Sequence, residues 1–305
     1  MNGHENRGYR RLFGEEGLTF GTAFPLTGVD EGVPSTEREM RLAAHAEGVG
    51  FDALWARDVP TYWPKFRDAG GSYDPWTWLT LAATHTGEVA LGTASVVLPL
   101  RHPLHVAKSA ASIDRLSDGR LLLGIASGDR PPEYDAFGVN EDERDALFRE
   151  SVRTLRTVWR EEFPELETRW GSLDGRLDLV PKPTDETLPL LVTGRSRQSL
   201  EWIGEHGDGW LFYHLPRRTL EDYLDDWRGV GGGKPFVMAV GVDLVADPGA
   251  DPEPIEQGFR AGSDWFVEYF RDLERMGVDH VLVSVRGDDP ERALAAFAED
   301  VMDQV

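Results

Sequence analysis

Residues 89–128 read VALGTASVVLPLRHPLHVAKSAASIDRLSDGRLLLGIASG. From Val89 to Leu98 the run is uncharged and rich in small and β-branched residues, as in a strand buried on both faces. Pro99 and Pro103 break that run. From Leu104 to Leu116, the positions of Val106, Ala110, Ile113 and Leu116 follow helical spacing. Ser117-Asp118-Gly119 stops the helix, and Leu121 to Ile125 is again strand-like. Strand, helix and strand within forty residues make one βαβ unit, and a parallel sheet follows from it.

Working outward, the same alternation runs nearly end to end. Strands are predicted at Leu18–Phe24, Ala53–Asp58, Val89–Leu98, Leu121–Ser127, Leu188–Thr193, Gly209–Tyr213, Phe236–Val245 and His280–Val285. Helices are clearest at Thr36–Glu47 and Glu141–Trp159. Eight strands with helices between them fit an α/β (β/α)8 TIM barrel, one domain over residues 1–305. From pattern alone a doubly wound sheet also fits, although the G-x-G-x-x-G fingerprint is absent after the first strand. The stretch Arg160–Thr187 holds Pro164, Gly171, Gly175, Pro181 and Pro183 and reads as an insertion between strands four and five. Within it, Arg176–Val180 is expected to form a short extra strand. Gly229–Gly233 and Ala246–Pro254 read as loops.

The 305 residues contain no cysteine, which excludes disulfides and thiolate-bound metal. His102 and His105 lack a second cluster of His, Asp and Glu, so no metal site is expected. Residues 1–17 are polar, without a signal-peptide core, and no run is as long as a membrane span. A soluble, cytoplasmic protein is expected. The net charge is −22, and only four of the 32 basic residues are lysine. That argues against nucleic acid or an anionic membrane as partner. It reads either as an ordinary acidic enzyme or as halophilic adaptation, because molar salt screens carboxylate repulsion.

In a barrel, working residues sit at the C-terminal ends of strands. Here those ends are Phe24, Arg57-Asp58, Ala94 to Val97, Ser127 to Asp129, Gly194 to Ser199, and Tyr213-His214. The segment Gly194-Arg195-Ser196-Arg197-Gln198-Ser199 follows a strand, and a helix is expected from near Ser196. A helix start offers free N–H groups to phosphate, and the two arginines and two serines add donors. The plainer reading is a serine N-cap with arginines facing solvent. Asp114, Ser117, Gly119 and Arg120 are expected to be structural. Trp55, Trp76, Trp78 and Trp210 read as core or pocket wall, and Tyr62, Trp63 and Phe66 as a substrate cover or a packed loop.

Several blocks resemble the bacterial-luciferase-like flavin-dependent oxidoreductases. They are Gly50 to Trp55 with Arg57-Asp58, Asp74-Pro75-Trp76, LGTASVVLPLRHP with AKSAASIDRLSDGRLLLGIASG, and Leu191 to Ser196 with His206 to Trp210. They lie in family order from about residue 18 to about residue 213, and the remainder is generic. The resemblance implies reduced FMN bound in the barrel mouth, supplied by a separate flavin reductase. It further implies dioxygen as co-substrate, a small organic substrate and a homodimer. Carried over residue by residue, Gly194, Arg195, Ser196 and Ser199 would hold the flavin phosphate. Ala94 and Ser95 would form a cis peptide beside the ring, and Ser127 and Gly128 would approach it from the next strand.

The chain also departs from that pattern. Many members have a histidine after the acid that ends strand two, where this chain has Val59. Arg57 and Asp58 remain as catalytic candidates, with Asp58 orienting Arg57 as the alternative. The luciferases' strand-four cysteine is Ala126 here, which argues against light emission. The resemblance also accommodates a 5-deazaflavin coenzyme with hydride transfer, or a non-catalytic flavin-binding protein. A phosphate-handling barrel such as a sugar isomerase is more distant.

Overall fold

In the computed structural model, which describes residues 4–26, 32–66 and 72–305, eight parallel strands close on one another. Helix α1 (Arg7–Phe13) precedes β1 (Thr19–Phe24), and α2 (Thr36–Gly48) leads to β2 (Ala53–Ala56). Next come α3 (Pro75–His85), β3 (Ala90–Val97), α4 (Pro103–Leu116) and β4 (Leu121–Ala126). Helices α5 (Pro131–Ala136) and α6 (Arg144–Arg160) are followed by a hairpin of β5 (Glu165–Thr168) and β6 (Gly171–Asp174). The barrel resumes with β7 (Leu190–Thr193), α7 (Leu200–His206), β8 (Gly209–Phe212), α8 (Arg217–Val230) and β9 (Phe236–Leu244). A second hairpin, β10 (Glu253–Ile255) and β11 (Gly258–Ala261), precedes α9 (Ser263–Met276), β12 (His280–Arg286) and α10 (Pro290–Asp300). Around the barrel the order is β1-β2-β3-β4-β7-β8-β9-β12, and β12 closes onto β1 with Thr19 opposite His280. All eight expected strands are present, each end within two residues of its expected place.

Side chains alternate along a strand, so each strand faces both the barrel axis and the helices. The larger core lies between strands and helices. The inner one packs Trp55, Leu122, Leu191, Leu211, Val237 and Leu282 around the axis, and α1 closes it from below with Leu12, Tyr9 and Phe13. Trp55 Nε1 donates to His280 Nε2 at 3.0 Å, and His280 Nδ1 lies 2.8 Å from Thr19 Oγ1. An indole N–H can only donate, so His280 carries its proton on Nδ1 and passes it toward Thr19. Burial lowers the His280 pKa to about 3. The inner core is therefore closed at the bottom of the barrel around a neutral His280, and it is open toward the opposite end.

Three local expectations are corrected. The extra strand is not Arg176–Val180. The insertion instead pairs β5 with β6 across a tight turn, where Gly171 has φ +141°. Leu177 and Val180 stay exposed with no strand to pair against, and Pro181 lacks an N–H. Of the glycine-rich loop, Gly229 and Val230 are the last turn of α8. The acidic loop ends early, because Glu253 and Pro254 already belong to β10. Among the described residues no helix is long and apolar enough to cross a membrane, and no group of three or more His, Asp or Glu could hold a metal.

Candidate active site at the barrel mouth

Above the sealed inner core the barrel residues become small. Ala23 on β1, Ala94 on β3 and Ala239 on β9 rest on that core and are only partly buried. Ser284 is exposed although it lies mid-strand between Val283 and Val285, and Tyr213 just past β8 is 49% exposed. A residue of a closed barrel can be exposed in this way only if it faces an open mouth. These positions outline a shallow floor at the C-terminal ends of the strands.

Strand β3 deforms where it meets this floor. The Ala94–Ser95 peptide is cis, as expected, and the β3–β4 register breaks between Thr93 and Val96. Gly124 on β4 makes room for the bulge, since a Cβ there would lie 2.0 Å from the Thr93 carbonyl oxygen. Thr93 Oγ1 donates to the Gly124 carbonyl at 2.8 Å, and Ser95 Oγ is hydrogen-bonded to Thr193 Oγ1 at the end of β7.

Asp58 is buried and accepts from the Val97 N–H at 3.1 Å and from Arg101 Nε and Nη2 at 3.2 and 2.7 Å. Arg101 also reaches Asp74, the N-cap of α3, at 3.3 Å. Asp58 therefore orients Arg101 and the top of β3. The guanidinium pairs with both carboxylate oxygens, which fixes the Asp58 side chain against β3. Arg57 lines a small cavity behind β1 and β2 with Glu39, Tyr73 and Trp78. Glu39 was not anticipated. It is fully buried, takes a 3.0 Å hydrogen bond from Trp78 Nε1 on one oxygen, and has no partner on the other among the described residues. Burial raises its pKa. The sequence did contain a signal, because Glu39, Ala43 and Ala46 fall on one stripe of α2.

The segment after β7 does not open a helix at Ser196. Gly194, Ser196 and Arg197 have φ of +57°, +43° and +61°, which makes a tight turn, and α7 begins at Leu200. Ser199 is its N-cap and accepts from the Trp202 N–H at 3.2 Å. Ser196 Oγ accepts from the Ser127 N–H at 3.3 Å and donates to the Thr193 carbonyl at 2.8 Å, tying β4 to β7. Arg195 lies over the rings of Trp210 and Tyr223, 5.3 and 5.7 Å from their centroids. Gln198, also not anticipated, is buried and donates to the Ser196 carbonyl at 3.0 Å and the Asp145 carbonyl at 3.2 Å. A lone glutamine in a polar segment gives no sequence signal. Beside the turn, Tyr134 Oη donates to the Ser127 carbonyl at 2.6 Å, and Gly128 has φ +89°. A Cβ at Gly128 would lie 2.5 Å from Tyr134 Oη. Ala94, Ser95, Ser127, Gly128, Gly194 and Ser196 thus converge on adjacent strand ends, while Arg195 and Ser199 stand on the outer rim.

At the edge of the mouth, Thr61 Oγ1 donates to Glu133 Oε1 at 2.9 Å and Arg130 lies 5.1 Å over the Phe66 ring. This clips the loop carrying Tyr62, Trp63 and Phe66 to α5. His102 caps α4 with a 3.2 Å bond from the Leu104 N–H, and its ring is 6.2 Å from that of Trp170 at the tip of the β5–β6 hairpin. Asp114 and Arg120 are structural. Asp114 accepts from Asn6 and Thr184, and Arg120 donates to the Ala83, Thr86 and Val89 carbonyls.

A parallel barrel with a small-residue floor and a positive-φ turn beside it defines an α/β barrel with a ligand site at its C-terminal end. The family model for luciferase-like monooxygenases matches residues 18–277, and the chain belongs to that family. An F420-dependent hydroxymycolic acid dehydrogenase of Mycobacterium tuberculosis is 33% identical over 182 residues, 57% of this chain and 49% of that protein. A 4-hydroxyprotoasukamycin monooxygenase of Streptomyces nodosus subsp. asukaensis is 29% identical over 223 residues, 70% of this chain and 58% of that protein. Matches to these first curated relatives span less than two thirds of the relatives' own length. Among solved structures, monooxygenase RslO1 from Streptomyces bottropensis has the same fold, with a TM-score of 0.77, 23% identity, and coverage of 94% of this chain and 99% of that one. The relatives named here thus include both an F420-dependent dehydrogenase and a monooxygenase.

Proposed function

We propose that the chain is a reduced-FMN-dependent monooxygenase acting with dioxygen on a small organic substrate. The observation that carries the reading is the shallow floor of Ala23, Ala94 and Ala239, open to solvent above a sealed core. A flat ring needs a flat wall, and small residues let the backbone lie against it. The residues fit such a group at its phosphate end as well. A Cβ built on Gly194 meets nothing within 4 Å, so the turn at 194–197 faces open space. Bound there, the coenzyme supplies the redox chemistry, and the protein holds it, orients the substrate and excludes water. Ser95, Thr193, Ser127 and Ser196 fix the strand ends against the ring, and Arg101 with Asp58 keeps the top of β3 in place. Arg195 provides positive charge beside the turn. A separate reductase supplies the reduced coenzyme.

A second reading, hydride transfer with a 5-deazaflavin coenzyme, is favoured by the F420-dependent relatives. Titration with FMN, riboflavin and the deazaflavin coenzyme, followed by reduction and exposure to oxygen, separates the two. FMN binding with substrate-dependent oxygen uptake supports the monooxygenase. Deazaflavin binding with no FMN binding replaces it with the hydride-transfer reading. Binding without turnover on a substrate panel replaces both with a non-catalytic flavin-binding protein. Charge-assisted hydrogen bonds are worth roughly 1.5–3 kcal/mol, so Arg195→Ala weakens FMN binding by about one to two orders of magnitude and leaves riboflavin nearly unchanged. Equal loss of both ligands assigns Arg195 to the aromatic stack alone.

A further inference from the structure

A second cavity lies outside the barrel, where the sheet changes partners. Strand β8 pairs with β9 only as far as Phe212 opposite Met238. From Gly241 to Leu244 the neighbour of β9 is β11. The chain leaving β8 therefore swings away from β11, and the gap is roofed by α8 and α9. The resulting cavity is about 370 Å³, within the range of pockets that hold small organic ligands. His214, Phe259, Trp265 and Tyr269 form an aromatic wall. His214 and Phe259 meet edge to face at 5.1 Å, and Trp265 and Tyr269 stack at 4.9 Å.

Two features give this cavity chemistry. Among the described residues, the His214 ring, the Trp265 indole N–H and the Tyr269 hydroxyl make no hydrogen bond within the chain. None of the three is a buried unsatisfied group, so water meets them in the open cavity, and an oxygen-bearing ligand can take that water's place. The rim is also charge-balanced. Arg217 and Arg275 both pair with Asp272, and Glu268 pairs with Arg271 at 3.0 Å. Burial lowers the His214 pKa, so its imidazole is neutral and can both donate and accept. A charged ligand would gain nothing from such a rim, whereas a neutral aromatic one would fill the wall and satisfy the unused donors.

We propose that this cavity is a ligand site, separate from the barrel mouth, for a neutral planar molecule of two or three fused rings bearing a hydroxyl or carbonyl oxygen. The probe is 2-naphthol, titrated calorimetrically at pH 7 into the full chain with and without FMN. The expected result is one saturable site with a Kd in the tens of micromolar, unaffected by FMN. Leu215→Trp, which fills the cavity from its half-buried loop, abolishes binding. Tyr269→Phe, which removes one donor and no volume, weakens it about five- to tenfold, and both variants keep the parent unfolding midpoint. Should Leu215→Trp fail to fold, Tyr269→Phe decides. No saturable binding up to 1 mM, or an unchanged Kd in Tyr269→Phe, overturns the proposal. So does displacement by FMN, which would put the probe in the mouth. Sedimentation showing a dimer that Leu215→Trp dissociates would assign the face to a second copy instead.

Discussion

Glu39 and His280 are both buried, and each prefers its neutral form for the same reason: the protein interior solvates charge poorly. Their effects on stability have opposite signs with pH. For Glu39 the pKa is raised above its ordinary 4.5, so the folded chain holds more protons than the unfolded one above that value. Stability is then lost as pH rises from about 4.5. Glu39→Gln removes that loss while keeping an acceptor for Trp78. Its urea midpoint should equal the parent's at pH 4.5 and exceed it at pH 8. For His280 the pKa falls from 6.5 to about 3, so the unfolded chain binds the extra proton and stability drops as pH falls across that window. His280→Leu should flatten this acid limb. At pH 7 it should cost about 1–3 kcal/mol, because Trp55 Nε1 is left buried without an acceptor. Denaturation midpoints across pH 4–8 check both variants.

At the scale of elements, the seam between β3 and β4 decides whether the floor exists. Gly124 permits the Thr93–Val96 bulge, and an added methyl would meet the Thr93 carbonyl at 2.0 Å and Ser95 Oγ at 3.0 Å. Backbone cannot yield cheaply at such distances. Gly124→Ala should lower the thermal midpoint by several degrees and reduce flavin affinity at least tenfold. Gly249→Ala, whose new Cβ has only the Asp247 carboxylate near it at 3.9 Å, should change neither and serves as the control. The turn after β7 shows why some local structure is hard to read in advance. Ser196 and Ser199 are equally good N-caps by type. Ser199 takes that place because Ser196 is already bonded to Ser127 and Thr193, partners 69 and three residues away.

Over the whole molecule, −22 net charges on 305 residues repel one another. The surface answers with many arginine–carboxylate pairs, such as Arg41–Glu291 at 2.6 Å and Arg169–Glu143 at 2.8 Å. Exposed pairs are individually worth little, so they leave most of the repulsion in place. The Debye length falls from about 10 Å at 0.1 M salt to about 3 Å at 1 M. The thermal midpoint should therefore be higher in 2 M KCl than in 0.1 M KCl. An equal or lower midpoint at 2 M would remove the case for adaptation to high salt.

By itself the sequence determined the eight strands and the strand ends that form the mouth, while pattern alone left a doubly wound sheet beside the barrel, and the closure of β12 onto β1 decides between them. Buried parallel strands are written as short uncharged runs closed by Gly and Pro, and that pattern is local. It also carried the structural roles of Asp114 and Arg120 at a helix stop and a strand start, and, through the blocks that resemble the family, the cis peptide at Ala94–Ser95. Only the tertiary structure decided that Asp58 binds Arg101, that Ser196 ties β4 to β7, that Arg195 lies on Trp210 and Tyr223, and that the insertion pairs as β5 and β6. It also decided the burial of Glu39 and the gap between β8 and β11. These outcomes depend on partners distant in the chain competing for one donor, one acceptor or one strand edge, and no local pattern ranks such competitors.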